Sequence, residues 1–250
     1  MRDIPEFPTS STAPVVVGAR TPFGSVASSE GAGPPAKAQE SVILNLEGVS
    51  MGFRSGPPWH RRSIEVLQDL SMQVSAGELV GLVGENGSGK STLMQLIVGL
   101  LGRDSGTISC PSRIGYCPQQ PLLWEKLKVA EHFELFASAY GMEATQASAS
   151  SRRLMVELDF LRFSDFRVER LSGGTRQKLN LALALMHDPE LLLLDEPYSG
   201  FDWETYLRFW DMAEQRRDAG KGIMIVSHLL TERERLDRVY ELRNGRVRLL

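Results

Sequence analysis

The stretch Gly84-Glu85-Asn86-Gly87-Ser88-Gly89-Lys90-Ser91-Thr92 combines bare glycine backbone with a lysine and several hydroxyls. Glycine permits positive φ and keeps side chains away, so successive amides can turn onto an anion. The Lys90 ammonium can reach the β- and γ-phosphates of a nucleoside triphosphate, and the Ser91 hydroxyl can ligate Mg²⁺. A second chemical point is Asp195-Glu196-Pro197. Two adjacent carboxylates at a strand tip are costly without cationic or metal partners. Strand alternation predicts that they face different sides and do different work. Asp195 then holds Mg²⁺ directly or through water, and Glu196 faces the γ-phosphate and polarises an attacking water. His228, at the tip of another apolar run, is a candidate γ-phosphate contact or proton-transfer group. Ser172-Gly173-Gly174 opens a predicted helix and reads either as a plain cap or as a second anion site.

For these groups to meet, the elements that carry them must end at one edge. Residues 78–83 form an apolar run that predicts a buried strand, and residues 93–101 predict a helix packed on a sheet. Residues 191–194 read as a central strand buried on both faces. Residues 222–226 form another apolar strand, ending in Ser227-His228. In open parallel sheets, ligands bind outside the carboxyl ends of the strands, which is where these motifs fall.

The remaining chain supplies the frame. Residues 42–49 and 64–74 have strand character, and Leu70, Met72 and Val74 alternate with polar neighbours. Residues 54–63, with Pro57, Pro58 and Trp59, read as a loop. Phe53 before it is either an ordinary packing residue or a face on which a purine base stacks. Asp104-Ser105-Gly106 reads as a turn, and short strand runs follow over residues 107–116. Residues 129–161 read as helices: Phe133, Phe136 and Ala137 share one face, and Tyr140-Gly141 closes it. Residues 144–151 are polar and weakly specified, whereas residues 154–161 carry a second apolar stripe. A helical block between strand-rich flanks predicts a subdomain inserted in an α/β core. Helices are predicted over residues 176–186 and 204–217, and Asn244-Gly245 predicts a terminal hairpin.

Composition sets the limits. Hydrophobic content of 42% and charged content of 24% over 250 residues are those of a globular protein. A net charge of −3 offers no case for nucleic-acid binding. Cys110 and Cys117 match no common zinc spacing and read as a reduced pair. No apolar run approaches the roughly 20 residues that span a bilayer. Residues 1 to about 40 are rich in Pro, Ser, Ala and Gly and read as a mostly disordered tail. The apolar patch at residues 13–17 is too short for a secretory signal.

Taken in order, these motifs resemble the nucleotide-binding subunit of an ATP-binding cassette (ABC) transporter, over about residues 42–250. GENGSGKST, residues 84–92, is similar to the Walker A motif, and LLLLDEP, residues 191–197, to Walker B with its catalytic glutamate. LSGGT, residues 171–175, resembles the family signature, with Thr175 in place of the usual Gln. Gln119 falls at the glutamine loop, beside a second glutamine, Gln120. Ser199 to Asp202 fall at the D-loop, where Phe201 and Trp203 depart from the usual Leu and Pro. His228 falls at the switch histidine, and Phe53 fits the aromatic that stacks on adenine.

The resemblance implies a P-loop NTPase fold: a mixed, largely parallel sheet, an N-terminal antiparallel β part, and a helical subdomain at about residues 120–171 within a domain of residues 41–250. It implies ATP and Mg²⁺ as cofactors, with Ser91, Gln119 and Asp195 around the metal. It also implies head-to-tail pairing with a second copy or a homologous subunit. Ser172, Gly173, Gly174 and Asp202 then act at the partner's nucleotide, and Lys90, Gln119, Glu196 and His228 serve hydrolysis. The expected setting is the cytoplasmic face of a membrane, through a separate transmembrane permease. The expected direction is export, from the compact helical block, the chain's end after the hairpin, and the run VAEHFELFASAYG. The alternatives are a soluble non-transport ABC ATPase and a non-hydrolysing regulatory module. The transported substrate is not legible.

Overall fold

A computed structural model describes residues 41–55, 62–227 and 232–250. The tail of residues 1–40, most of the proline-bearing loop (residues 56–61) and His228 lie outside the described residues. The strands are β1 (Val42–Ser55), β2 (Arg62–Ser75), β3 (Leu79–Val83), β4 (Ser105–Ser109), β5 (Ile114–Cys117), β6 (Leu191–Asp195), β7 (Gly222–Val226), β8 (Arg238–Arg243) and β9 (Arg246–Leu249). The helices are α1 (Lys90–Ile97), α2 (Val129–Ala139), α3 (Ala144–Glu157), α4 (Gly173–Leu185) and α5 (Trp203–Asp218).

Two sheets result. The first is antiparallel, in the order β2-β1-β4, and the second runs β5-β6-β7-β3-β8-β9. In the second sheet β5, β6, β7, β3 and β8 pair in parallel, and only β9 is antiparallel, to β8. The β8–β9 connection uses Asn244 and Gly245, both at positive φ (51° and 73°), as a twisted two-residue turn requires.

Side-chain alternation along the central strands divides the interior into two cores. Val80 and Leu82 of β3, Leu191 and Leu193 of β6, and Met224 and Val226 of β7 face the antiparallel sheet and α1. Leu79, Leu192, Leu194, Ile223 and Ile225 face the other way, onto α2, α3, α4 and α5. Strands covered on both faces have no need of polar residues, which is why β6 reads Leu-Leu-Leu-Leu-Asp. Each such buried leucine contributes about 1.5–3 kcal/mol relative to exposure.

Two local expectations are corrected. The predicted loop over residues 54–63 is shorter, because Arg54 pairs with Ser63 and Ser55 with Arg62 as the β1–β2 ladder runs on. The predicted turn at Asp104-Ser105-Gly106 gives way to strand at Ser105, which pairs with Ser50. Asp104 anchors that start: its amide donates to the Ser50 carbonyl (2.9 Å) and its carboxylate accepts from the Gly52 amide (2.8 Å). The weakly specified residues 144–151 form the first half of α3. They lack a stripe, yet alanine favours helix, and the Ser150 hydroxyl fixes the segment by donating to the Met186 carbonyl (2.8 Å).

Candidate functional site

The loop after β3 turns back on itself before α1. Gly89 caps α1 at φ 104°, and a Cβ there would lie 3.0 Å from Val66 Cγ1 and 3.2 Å from Leu67 Cδ2. The left-handed conformation favours glycine at this point, and the space for a side chain is tight. Lys90 follows as the first helical residue, and its ammonium donates to the Gly84 carbonyl (2.7 Å) and the Glu85 carbonyl (2.9 Å). The side chain thus stitches its own loop. Burial lowers the Lys90 pKa, while the Asp195 and Glu196 carboxylates act to raise it.

Across from the loop, β6 delivers the paired carboxylates. Asp195 is the last strand residue, is 2% exposed, and accepts from the Ser91 hydroxyl (2.8 Å). Glu196 leaves the strand at φ 47°, with its amide donating to the Val226 carbonyl (3.1 Å). The backbone thus leaves the strand conformation at Glu196, so strand alternation does not set the direction of its carboxylate. The Glu196 carboxylate accepts from the Gln119 amide (3.1 Å), which extends from the end of β5. Asp195, Glu196, Lys90, Ser91 and Gln119 line one cavity of about 480 Å³, together with Val66, Asn86, Gly87, Gly89 and Thr92.

The oxygen-bearing side chains lining this cavity include a hydroxyl, a nearly fully buried carboxylate and a carboxamide. Such hard oxygen ligands suit Mg²⁺, which takes one or two carboxylates and completes its shell with phosphate oxygens and water. Among the described residues, no group of three or more His, Cys, Asp or Glu could hold a metal by itself.

A second cavity, of about 460 Å³, lies against the same loop. Gly84, Glu85 and Ser88 line it, along with Asn86, Gly87 and the β8–β9 turn. Phe53, Ser172, Gly173, Gly174 and Asp202 line neither cavity. Phe53 is exposed at 39% and pairs with Ile64, itself exposed at 56%. Ser172 caps α4, its hydroxyl accepting from the Thr175 amide (3.2 Å). Asp202 caps α5: its carboxylate accepts from the Thr205 amide (2.8 Å) and hydroxyl (2.9 Å), which hold its pKa down to about 2. Gly174 and Gly200 meet backbone to backbone, since a Cβ on Gly174 would lie 2.4 Å from the Gly200 carbonyl. The two half-cap motifs thus form one patch.

Sequence reasoning overlooked several supporting groups. Val66 lines both cavities and packs under Gly89. Gln177 donates to the Glu196 carbonyl (3.4 Å), and Asn180 donates to the Pro118 carbonyl (2.8 Å). A signal was available for Asn180, a lone amide inside Leu179-Asn180-Leu181-Ala182. Cys110 and Cys117 form no disulfide, and burial pushes the Cys117 pKa up.

A family model described as "ABC transporter" matches residues 67–199. The chain is 37% identical over 194 residues to a Nod factor export ATP-binding protein I of Burkholderia lata, covering 72% of this chain and 64% of that one. It is 31% identical to an ABC transporter ATP-binding protein of Methanocaldococcus jannaschii, covering 73% of this chain and 70% of that one. It is also 35% identical to a mouse organic anion transporter, of which it spans only 12%. The chain thus spans under two thirds of the Burkholderia and mouse relatives. A solved ATP-binding subunit of an ABC transporter superposes with TM-score 0.73 at 30% identity, covering 82% of this chain and 88% of that one. The motifs, the two-sheet architecture and these likenesses agree: the chain belongs to the ABC transporter family, among its ATP-binding subunits.

Proposed function

We propose that this chain binds and hydrolyses ATP to drive a membrane ABC transporter, working as one of two paired ATP-binding subunits. The observation that carries the reading is the single cavity lined by Lys90, Ser91, Gln119, Asp195 and Glu196. Chain-distant residues gather there because β5, β6 and β3, with β7 between β6 and β3, run parallel and end at one edge of the same sheet. The domain proposed for this work is residues 41–250, with a helical subdomain at about residues 120–171.

In the proposed reaction, the loop amides and the Lys90 ammonium hold the phosphate chain and offset its charge. Asp195, Ser91 and Gln119 would hold Mg²⁺. When bound, the ion neutralises phosphate charge and orients the β- and γ-oxygens. Glu196 accepts the proton of a water that attacks the γ-phosphate in line. His228 is assigned a contact with that phosphate, and Phe53 a face for the base. The patch of Ser172, Gly173, Gly174, Gly200 and Asp202 is assigned to the nucleotide held by the paired subunit. Its place outside both cavities supports that division, because one chain then offers two unlike half-sites.

Among the described residues, no helix is long and apolar enough to cross a membrane. A separate permease is therefore the proposed partner, at the cytoplasmic face. Export is the proposed direction, supported by likeness to proteins named for Nod factor export. ATP turnover by the purified chain, abolished in Lys90→Ala, tests the motor. Copurification from detergent extract with a multi-span protein tests the partner, and repeated isolation of the chain alone would count against it.

A further inference from the structure

Residues 118–124, which carry Gln119, are held by a buried polar side chain at each end. At the upstream end the Asn180 amide, on α4, donates to the Pro118 carbonyl (2.8 Å) and to Cys117 Sγ (3.2 Å). At the downstream end the Trp124 amide donates to His132 Nε2 (3.0 Å), on α2. His132 Nδ1 lies 2.8 Å from the Lys128 carbonyl. A carbonyl can only accept, so Nδ1 carries the proton and Nε2 offers its lone pair to Trp124. The ring is therefore neutral and in one tautomer.

His132 is 0% and Asn180 6% exposed, and each interrupts an apolar stripe. On α2 the buried neighbours are Val129, Phe133 and Phe136. A polar group in such a stripe is costly unless hydrogen-bonded. Both are bonded, and both bonds go to the same short segment. Gln119 itself is exposed and reaches Glu196 across 3.1 Å. Packing around its own side chain does not aim it; the backbone on either side does.

We propose that His132 and Asn180 are positioning residues that fix the reach of Gln119 to Glu196 by clamping its segment to α2 and α4. Asn180 also ties that segment to the helix that opens with Ser172, Gly173 and Gly174. A nucleotide contact at the start of α4 then meets the glutamine segment through one rigid element. The inference rests on the proposed role of Gln119 in hydrolysis.

The test uses the full chain and steady-state ATP turnover, with kcat and KM separated and melting temperature recorded. His132→Leu keeps the bulk and removes the acceptor, whereas His132→Gln returns an oxygen near Nε2. His132→Leu should lower kcat about tenfold with KM within about twofold, and His132→Gln should recover most of the loss. In a Gln119→Ala background, His132→Leu should cost less than about twofold more, because the group it positions is gone. Asn180→Ala should behave in the same way and serves if His132→Leu does not fold. Equal losses in both backgrounds, or a lowered melting temperature with kcat unchanged, would overturn the inference while leaving the motor reading intact. Unchanged turnover in Gln119→Ala would remove the role of Gln119 itself, and the inference with it.

Discussion

The Ser91 hydroxyl donates to the Asp195 carboxylate across 2.8 Å, joining the first turn of α1 to the end of β6 over 104 residues of chain. This bond brings together two of the groups proposed to hold Mg²⁺. Ser91→Ala removes one ligand and the bond that orients the other. The Mg²⁺ concentration for half-maximal turnover should rise about tenfold, equivalent to about 1.4 kcal/mol. A Mg²⁺ titration of ATP turnover checks this, and an unchanged midpoint would exclude Ser91 from the site.

Gly89→Ala places a methyl at φ 104° and 3.0 Å from Val66 Cγ1. Left-handed strain of this kind costs about 1–3 kcal/mol. The melting temperature should fall by several degrees, and ATP affinity should fall with it. Equilibrium nucleotide binding beside thermal unfolding reads both effects. A variant as stable and as tight-binding as the parent would show that the loop tolerates another path.

Gly174→Ala should separate binding from pairing. The added methyl meets the Gly200 carbonyl at 2.4 Å and must displace the start of α4 or the Gly200 turn. Neither residue lines the Lys90 cavity. ATP binding to the single chain should stay within about twofold, while ATP-driven pairing, measured by light scattering, weakens about tenfold or more.

Acid should destabilise the fold through buried His132 and half-buried His187. Burial lowers the His132 pKa, and it pushes His187, stacked on Tyr140 at 3.8 Å, down to about 4. Both are neutral when folded, while the unfolded chain binds protons below its ordinary value of about 6.5. Their contribution is therefore complete above about pH 6.5 and is lost as pH falls towards 4. Each tenfold difference in proton affinity between the folded and unfolded chain is worth about 1.4 kcal/mol at most. Urea unfolding at pH 7.5 and 5 should show the loss, and His187→Phe should reduce it. Identical pH slopes would assign the acid response elsewhere.

The carriers of chemistry were legible because each sits where a strong local signal ends. The apolar runs before Gly84 and Asp195 could only be buried strands, and the glycines at 84, 87 and 89 have no better use than a phosphate turn. The turn between Asp195 and Glu196 was not legible, because a positive φ at glutamate has no sequence mark. Nor was the extent of β1, β2 and α3. Pairing in register carried the ladder into polar residues, and a tertiary bond from Ser150 holds the stripe-less first half of α3. Asp202, assigned to nucleotide from its motif, also caps α5 through the Thr205 amide and hydroxyl, a local role that the motif does not announce.

The central claim is that Glu196 takes the proton from the attacking water. The most direct measurement is steady-state ATP turnover by Glu196→Gln, with equilibrium ATP binding on the same preparation. The amide keeps the shape and cannot act as a base, so turnover should fall by about 10²-fold or more with binding retained. Turnover at the parent rate, with ATP still bound, would contradict the account.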